Sequence, residues 1–272
     1  MDKWLKKMTP KTRKSLATWQ KNRFGMFIHW GLYTVDGQDC WKMHDQGIPV
    51  AEYVERFGKR FNPRKFDADA FIDTAKSAGC KYIVMGTRHH EGYCLWDTET
   101  TDYSSVKMAP QRDFIAEYVA AARAAGIQLG FYYSVLDWRH QAYFDGPYKN
   151  PDGFKRMVKQ IHTQVRELMT NYGKIDILWY DGVWPAWAWW GFKKPKDLVK
   201  AWRSRELDTM VRRLQPGILL NNRSDPPHGG DFATPEQEIT PDHRPWELCD
   251  TLGQMWGDWP TDLIRKTPRE VV

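Results

Sequence analysis

An α/β fold on a parallel sheet is predicted by three observations. Short apolar runs alternate with amphipathic helical segments, as in repeated strand–helix units. The runs are apolar along both faces, as strands covered on both sides must be. And 272 residues suit one barrel-sized domain, since a (β/α) barrel takes about 250. Right-handed crossovers then follow. Two architectures fit, a doubly wound open sheet and a closed barrel. No P-loop or dinucleotide-binding glycine pattern follows a strand, so nucleotide-binding versions lose weight.

The elements can be read in order. Phe24–Trp30 (FGMFIHW) is the first strand, ending before Gly31. Asp67 is placed to cap a helix over Ala68–Ala78, with Phe71, Ala75 and Ala78 on one face and Gly79 as its stop. Lys81–Gly86 is the second strand. Asp113–Ala125 is a helix with a stripe of Phe114, Ile115, Tyr118, Val119 and Ala122. Ile127–Ser134 is the third strand, Phe154–Tyr172 a long helix, and Ile175–Tyr180 the fourth strand. Pro195–Leu214 is mostly helix and Gly217–Asn221 the fifth strand. Asp231–Thr240 and Trp246–Leu252 are candidate sixth and seventh strands, and the region around Pro260–Val272 a candidate last helix. No run suits an eighth strand.

Composition narrows the class. Charged residues are 27% and apolar residues 42%, which reads as globular. The net charge of +6 is spread along the chain without a basic block, so no nucleic-acid partner is expected. Met1–Trp19 is basic and lacks an apolar signal core, and no run of about 18 apolar residues occurs. A cytoplasmic protein without a membrane partner is the expectation. Cys40, Cys80, Cys94 and Cys249 form no CxxC pair and are expected as free thiols. Of the fifteen tryptophans, Trp184, Trp187, Trp189 and Trp190 crowd one stretch after a strand. They read either as part of a large aromatic core or as a platform for the C–H faces of a sugar.

Polar chemistry collects where the strands end. The first ends in His29 and Trp30, and the second runs into Arg88, His89, His90 and Glu91. The third ends at Tyr132, Tyr133 and Ser134, followed by Asp137 and Trp138. The fourth ends in Trp179, Tyr180 and Asp181, and the fifth in Asn221, Asn222 and Arg223. Parallel barrels place their sites at this face. Period two puts Trp179 and Asp181 on one side and Tyr180 on the other. Asp181 is thus either a nucleophile beside a sugar-binding wall or a turn residue before Gly182. His89 and His90, adjacent on a strand, are expected to point apart, which disfavours a metal site and leaves them as neutral hydrogen-bonding groups. Arg223 reads as held in the site, where its fork grips an oxygen or steers a carboxylate.

The runs FGMFIHWGLYTV, KYIVMGTRHHEGYCLWDTETTDYSSV, RDFIAEYVAAARAAGIQLGFYYSVLDW, VRELMTNYGKIDILWYDG, ILLNNR and DFATPEQ carry a further reading. From about residue 18 to 272 the chain resembles the α-L-fucosidases of glycoside hydrolase family 29. The resemblance implies an irregular (β/α)8-like TIM barrel. It implies retaining hydrolysis of terminal α-L-fucosyl residues from oligosaccharides or glycoconjugates, with no cofactor and no metal. Asp181 of LWYDG takes the place of the nucleophile, and Glu236 of TPEQ that of the acid/base, with Glu238 as a competitor that would face the same way in an extended segment. The fucose-contacting positions fall on His29, Trp41, His89, His90, Tyr132, Trp179 and Arg223. Two departures stand out. Cys40-Trp41 replaces a Glu-Trp pair, with Asp39 or His44 as candidate substitutes for the carboxylate. Residues 1–272 read as a single catalytic barrel domain without its last strand or a C-terminal β-sandwich: either a fragment, a split protein completed by a second chain, or a short form closed by oligomerisation. Alternatives are a catalytically weak fucose-binding relative, or a glycosidase for a related sugar such as α-L-galactose.

Overall fold

The structure is a computed structural model that describes residues 8–183, 190–191, 194–224, 229–240, 242–257 and 264–271. Five parallel strands form one sheet in the order β1 (Gly25–Ile28), β2 (Tyr82–Arg88), β3 (Gln128–Ser134), β4 (Ile177–Asp181), β5 (Leu219–Leu220). Strand order follows chain order without the reversal that defines a doubly wound sheet.

Alternation decides what each strand residue does. Tyr82, Val84, Tyr132, Ile177, Trp179 and Leu219 face one side, in a cluster with Trp19, Phe232 and Cys249. Their neighbours Ile83, Met85, Phe131, Tyr133, Leu178, Tyr180 and Leu220 face the other side and pack under the helices. Trp179 and Tyr180 therefore part as period two requires.

The helices start where their caps predict. Asp67 accepts the Ala70 N–H at 3.0 Å at the head of helix Ala68–Ser77. Asp113 accepts the Ala116 N–H at 2.8 Å at the head of helix Phe114–Ala124. The long helix begins earlier than predicted, at Pro151, because Asn150 supplies the cap, and it runs to Asn171. The expected helix over Pro195–Leu214 is broken by Arg203, at φ 53°, into Pro195–Trp202 and Ser204–Leu214. Besides the short helices Lys42–Asp45 and Val50–Tyr53, two longer ones had no counterpart in the sequence reading. Gln141–Lys149 precedes the long helix. Pro10–Asn22 sets Leu16 and Trp19 against the inner cluster, with Trp19 4.7 Å from the Phe232 ring.

Beyond β5 the sheet weakens. The sixth and seventh segments run parallel but join only by isolated bridges, Asn221 to Phe232, Ala233 to Trp246 and Glu236 to Cys249. Pro235 and Pro245 remove ladder donors, and Gln237 at φ 55° interrupts the extended backbone. Among the described residues no pairing returns to β1, so the irregular barrel expected from the sequence, short of its last strand, is not seen as a closed barrel; the sheet is five strands and two bridged segments. Trp190 is a core residue, buried against Tyr143, Phe154 and Trp202, and not a sugar platform. Trp184, Trp187 and Trp189 lie outside the described residues. The four cysteines are free and buried. No helix among the described residues is long and apolar enough to cross a membrane.

Candidate active site

The carboxyl ends of the strands surround a cavity of about 380 Å³, within the range of small-ligand sites. Its walls bring together His29, Trp41, His89, His90, Tyr132, Trp179, Asp181, Arg223 and Glu236. Phe27, Cys249 and Trp256 complete it.

Asp181 closes β4 opposite Ser134 of β3. The chain turns immediately at Gly182, at φ +86°, where a Cβ would lie 2.6 Å from that of Leu136. The turn therefore falls to Gly182, while the Asp181 carboxylate faces the cavity. Its Oδ2 accepts the Tyr132 hydroxyl at 2.9 Å and its Oδ1 accepts Arg223 Nη1 at 3.0 Å, with His90 Nε2 3.7 Å away. Burial alone would raise its pKa. The Arg223 charge, His90 and the two hydrogen bonds outweigh that and hold it below the usual carboxylate range.

Arg223 serves both acids. Its Nη2 donates to Glu236 Oε2 at 2.7 Å. Its orientation is fixed by Thr234, through Nε to Oγ1 at 3.0 Å and Nη2 to the carbonyl at 3.2 Å, and by the Trp179 ring 4.4 Å beneath it. One planar fork thus joins the two carboxylates. The Glu236 side chain is 44% exposed against 13% for Asp181, so it is the more open to solvent. Glu238 does not share its face: the left-handed Gln237 between them breaks the alternation, and Glu238 is exposed and off the cavity wall.

The histidines supply uncharged polarity. Burial lowers all three pKa values, bringing His29 and His90 to about 4 even with Asp181 pulling upward. At neutral pH they are imidazoles, each able to donate and accept. His90 Nδ1 is engaged with Ser134 Oγ at 2.7 Å. Nδ1 of His29 and of His89 is buried without a protein partner. His89 and His90 both line the cavity, contrary to the expected divergence. β2 shifts register between Gly86 and Arg88 and then ends, so strand alternation no longer applies to the two histidines. Among the described residues no group of three His, Cys, Asp or Glu is placed to hold a metal ion.

Trp41 stands over His90, with ring centroids 5.3 Å apart. Neither candidate substitute for the missing carboxylate reaches the cavity wall. Asp39 accepts two backbone N–H groups, from Trp41 and Gly257, and His44 stacks on Trp138. Other strand-end residues are structural. Trp30 stacks on Phe66. Arg88 donates to Asp137, Gln164 and the carbonyls of Ser134 and Leu136. Glu91 accepts from the Tyr53 hydroxyl and the Leu32 N–H. Asn221 bridges to both backbone groups of Tyr180.

Four residues escaped the sequence reading. Phe27 was legible, two positions before His29 on β1. Cys249 and Trp256 come from irregular chain. Glu247 lies below the cavity, where it accepts the Tyr82 hydroxyl at 2.6 Å and Trp179 Nε1 at 3.0 Å. Burial raises its pKa in spite of these donors. Trp246 and Leu248 are each 38% exposed while Glu247 between them turns inward, so apolar alternation in the sequence would have buried the wrong face and gave no signal for Glu247.

Comparison with known proteins gives a consistent picture. The family profile described as Alpha-L-fucosidase matches residues 2–272. The tissue α-L-fucosidase of Bos taurus is 31% identical over 273 residues, covering 90% of this chain and 55% of that protein. The α-L-fucosidase isoenzyme 1 from Paenibacillus thiaminolyticus is 38% identical, with a TM-score of 0.83 over 96% of this chain and 66% of that one. An α-L-fucosidase GH29 from Bacteroides thetaiotaomicron, a trapped covalent intermediate in complex with 2-fluoro-fucosyl fluoride, is 28% identical, with a TM-score of 0.81 over 95% of this chain and 65% of that one. The chain spans about half the length of the curated relatives it matches. On the profile match across nearly its whole length, the chain belongs to the α-L-fucosidase family.

Proposed function

We propose that the protein is a retaining exo-glycosidase that removes terminal α-L-fucosyl residues from oligosaccharides or glycoconjugates. The observation that carries this is the pair of carboxylates, Asp181 and Glu236, held on the two arms of Arg223 at the wall of one small cavity. Ionised Asp181 attacks the anomeric carbon while Glu236, as the carboxylic acid, protonates the departing oxygen. The resulting fucosyl-enzyme is opened by water, from which Glu236 takes the proton. Retaining enzymes hold such carboxyls about 5–5.5 Å apart. A shared guanidinium, within 3.0 Å of an oxygen of each, favours a short separation. The trapped covalent intermediate of the Bacteroides relative supports the two-step route.

The rest of the cavity suits a deoxy sugar. The imidazoles of His29 and His89, both on the cavity wall, offer hydrogen bonds to hydroxyls. Trp41 and Trp179 offer flat apolar walls. The same reading extends the sheet into an irregular (β/α)8-like barrel. It is supported by the unreversed strand order and by the parallel bridges after β5.

The test is turnover of an aryl α-L-fucoside. Asp181→Gly should lose at least about a thousandfold in kcat and regain part of it with azide as external nucleophile. NMR of the first-formed sugar should show the α anomer. Near-normal turnover by Asp181→Gly, or an initial β product, contradicts the assignment.

A further inference from the structure

Asp39 sits in the turn that leads into Trp41, and only 6% of it is exposed. Both carboxylate oxygens are engaged. Oδ1 accepts the Trp41 backbone N–H at 2.9 Å. Oδ2 accepts the Gly257 backbone N–H at 3.0 Å, from a segment 218 residues further along the chain. The two backbones are close-packed there. A Cβ added to Gly257 would lie 3.0 Å from Asp39 Cα and 3.0 Å from the Gln38 carbonyl oxygen. Glycine at 257 is thus a matter of space.

The residues beside these contacts are walls of the cavity. Trp41 carries its own donated N–H into the seam and stands over His90. Trp256, directly before Gly257, lies 6.2 Å from His29. The reacting groups come from elsewhere: Asp181 ends β4, and the Arg223–Glu236 pair follows β5. Asp39 hydrogen-bonds none of them, and it is absent from the cavity wall.

We infer that Asp39 is a positioning residue for sugar binding: it clamps the Trp41 wall to the Trp256 wall, so the cavity is shaped before the sugar arrives. It sets affinity for the fucosyl residue and leaves the rate of bond cleavage alone. The inference rests on the fucosidase reading above. Its physical basis is preorganisation, because a wall already in place costs no ordering when the ligand binds. A carboxylate is suited to the task, since one side chain offers two charged acceptors to two N–H groups. Asparagine has one acceptor. Whichever way its amide turns, one of the two backbone donors faces an NH₂ group and is left without an acceptor.

Asp39→Asn and Gly257→Ala strike the same seam from opposite sides. With an aryl α-L-fucoside, each is expected to raise KM about tenfold, the scale of one lost charge-assisted hydrogen bond, with kcat within twofold of wild type. That split is the signature of binding lost equally from ground and transition states. The double variant should be little worse than the poorer single, because both act on one contact. KM within twofold of wild type in both folded variants overturns the clamp, as does a fall in kcat at unchanged KM. If Asp39→Asn does not fold, Gly257→Ala carries the same comparison, with its melting temperature as the folding control. If wild type fails to turn over the fucoside against an Asp181→Gly blank, the proposed function fails and not the clamp. Calorimetric titration with L-fucose then reads the same tenfold weakening in Kd, and an unchanged Kd overturns the clamp.

Discussion

Arg223 shows how much one side chain can decide. Removing its guanidinium takes from buried Asp181 one hydrogen bond and the charge that keeps it ionised. Lysine keeps the charge and loses the fork. Arg223→Lys is therefore expected to lower kcat by about ten- to a hundredfold and to move the acid limb of kcat/KM upward. The sign follows from Asp181: its folded pKa is depressed mainly by Arg223 against the opposing effect of burial, so weakening Arg223 lets it rise. The pH profile of kcat/KM reads this in the free enzyme; an unmoved limb contradicts it. At this scale the sequence was informative wherever a regular strand delivered the residue. Trp179 and Asp181 share a face because β4 is extended to its last residue. It misled where regularity stopped. His89 and His90 follow the strand's end, Glu238 follows a left-handed residue, and Asp39 meets a partner 218 residues away.

Among the elements, the helix Phe114–Ala124 has the most informative end. Asp113 caps it and, through Oδ2, also accepts the Tyr172 hydroxyl at 2.7 Å, at the far end of the long helix. One carboxylate thus joins a helix start to a helix finish. Asp113→Ala should cost about 1–2 kcal/mol of stability, seen as a lower urea midpoint. Turnover by the folded variant should stay the same, since neither helix end meets the cavity. The caps at Asp67 and Asp113 were legible because N-capping is local chemistry. The break at Arg203 was not, because no Gly or Pro marks the left-handed position. The weak sixth and seventh segments were found as runs, but their proline content reduces them to bridges.

Across the whole molecule, one buried ion cluster contributes to the response to acid in a way that a single substitution can isolate. Asp137, 1% exposed, lies between Arg88 at 3.2 Å and Arg139 at 2.7 Å. Burial pushes its pKa up, but the two guanidiniums more than reverse this and hold it well below the usual range. A depressed folded pKa contributes stability above the unfolded value of about 3.9 and loses it as the pH falls further. Asp137→Asn should therefore cost about 3–5 kcal/mol near neutrality, as breaking a buried pair does. In thermal melts the gap to wild type should be flat from pH 8 to 5 and narrow below about pH 4. A gap that widens in acid contradicts this.

The seam between Asp39 and Gly257 has a consequence in time. A chain made at about 5–20 residues per second needs roughly 10–40 seconds to travel the 218 residues between its two sides. By then the first four strands, all complete at Asp181, have had their partners available. The sheet is free to form while the chain is still growing, but the binding pocket has to wait for Gly257. Until Gly257 is made, the Trp41 wall has nothing on the far side of the seam to be fastened to.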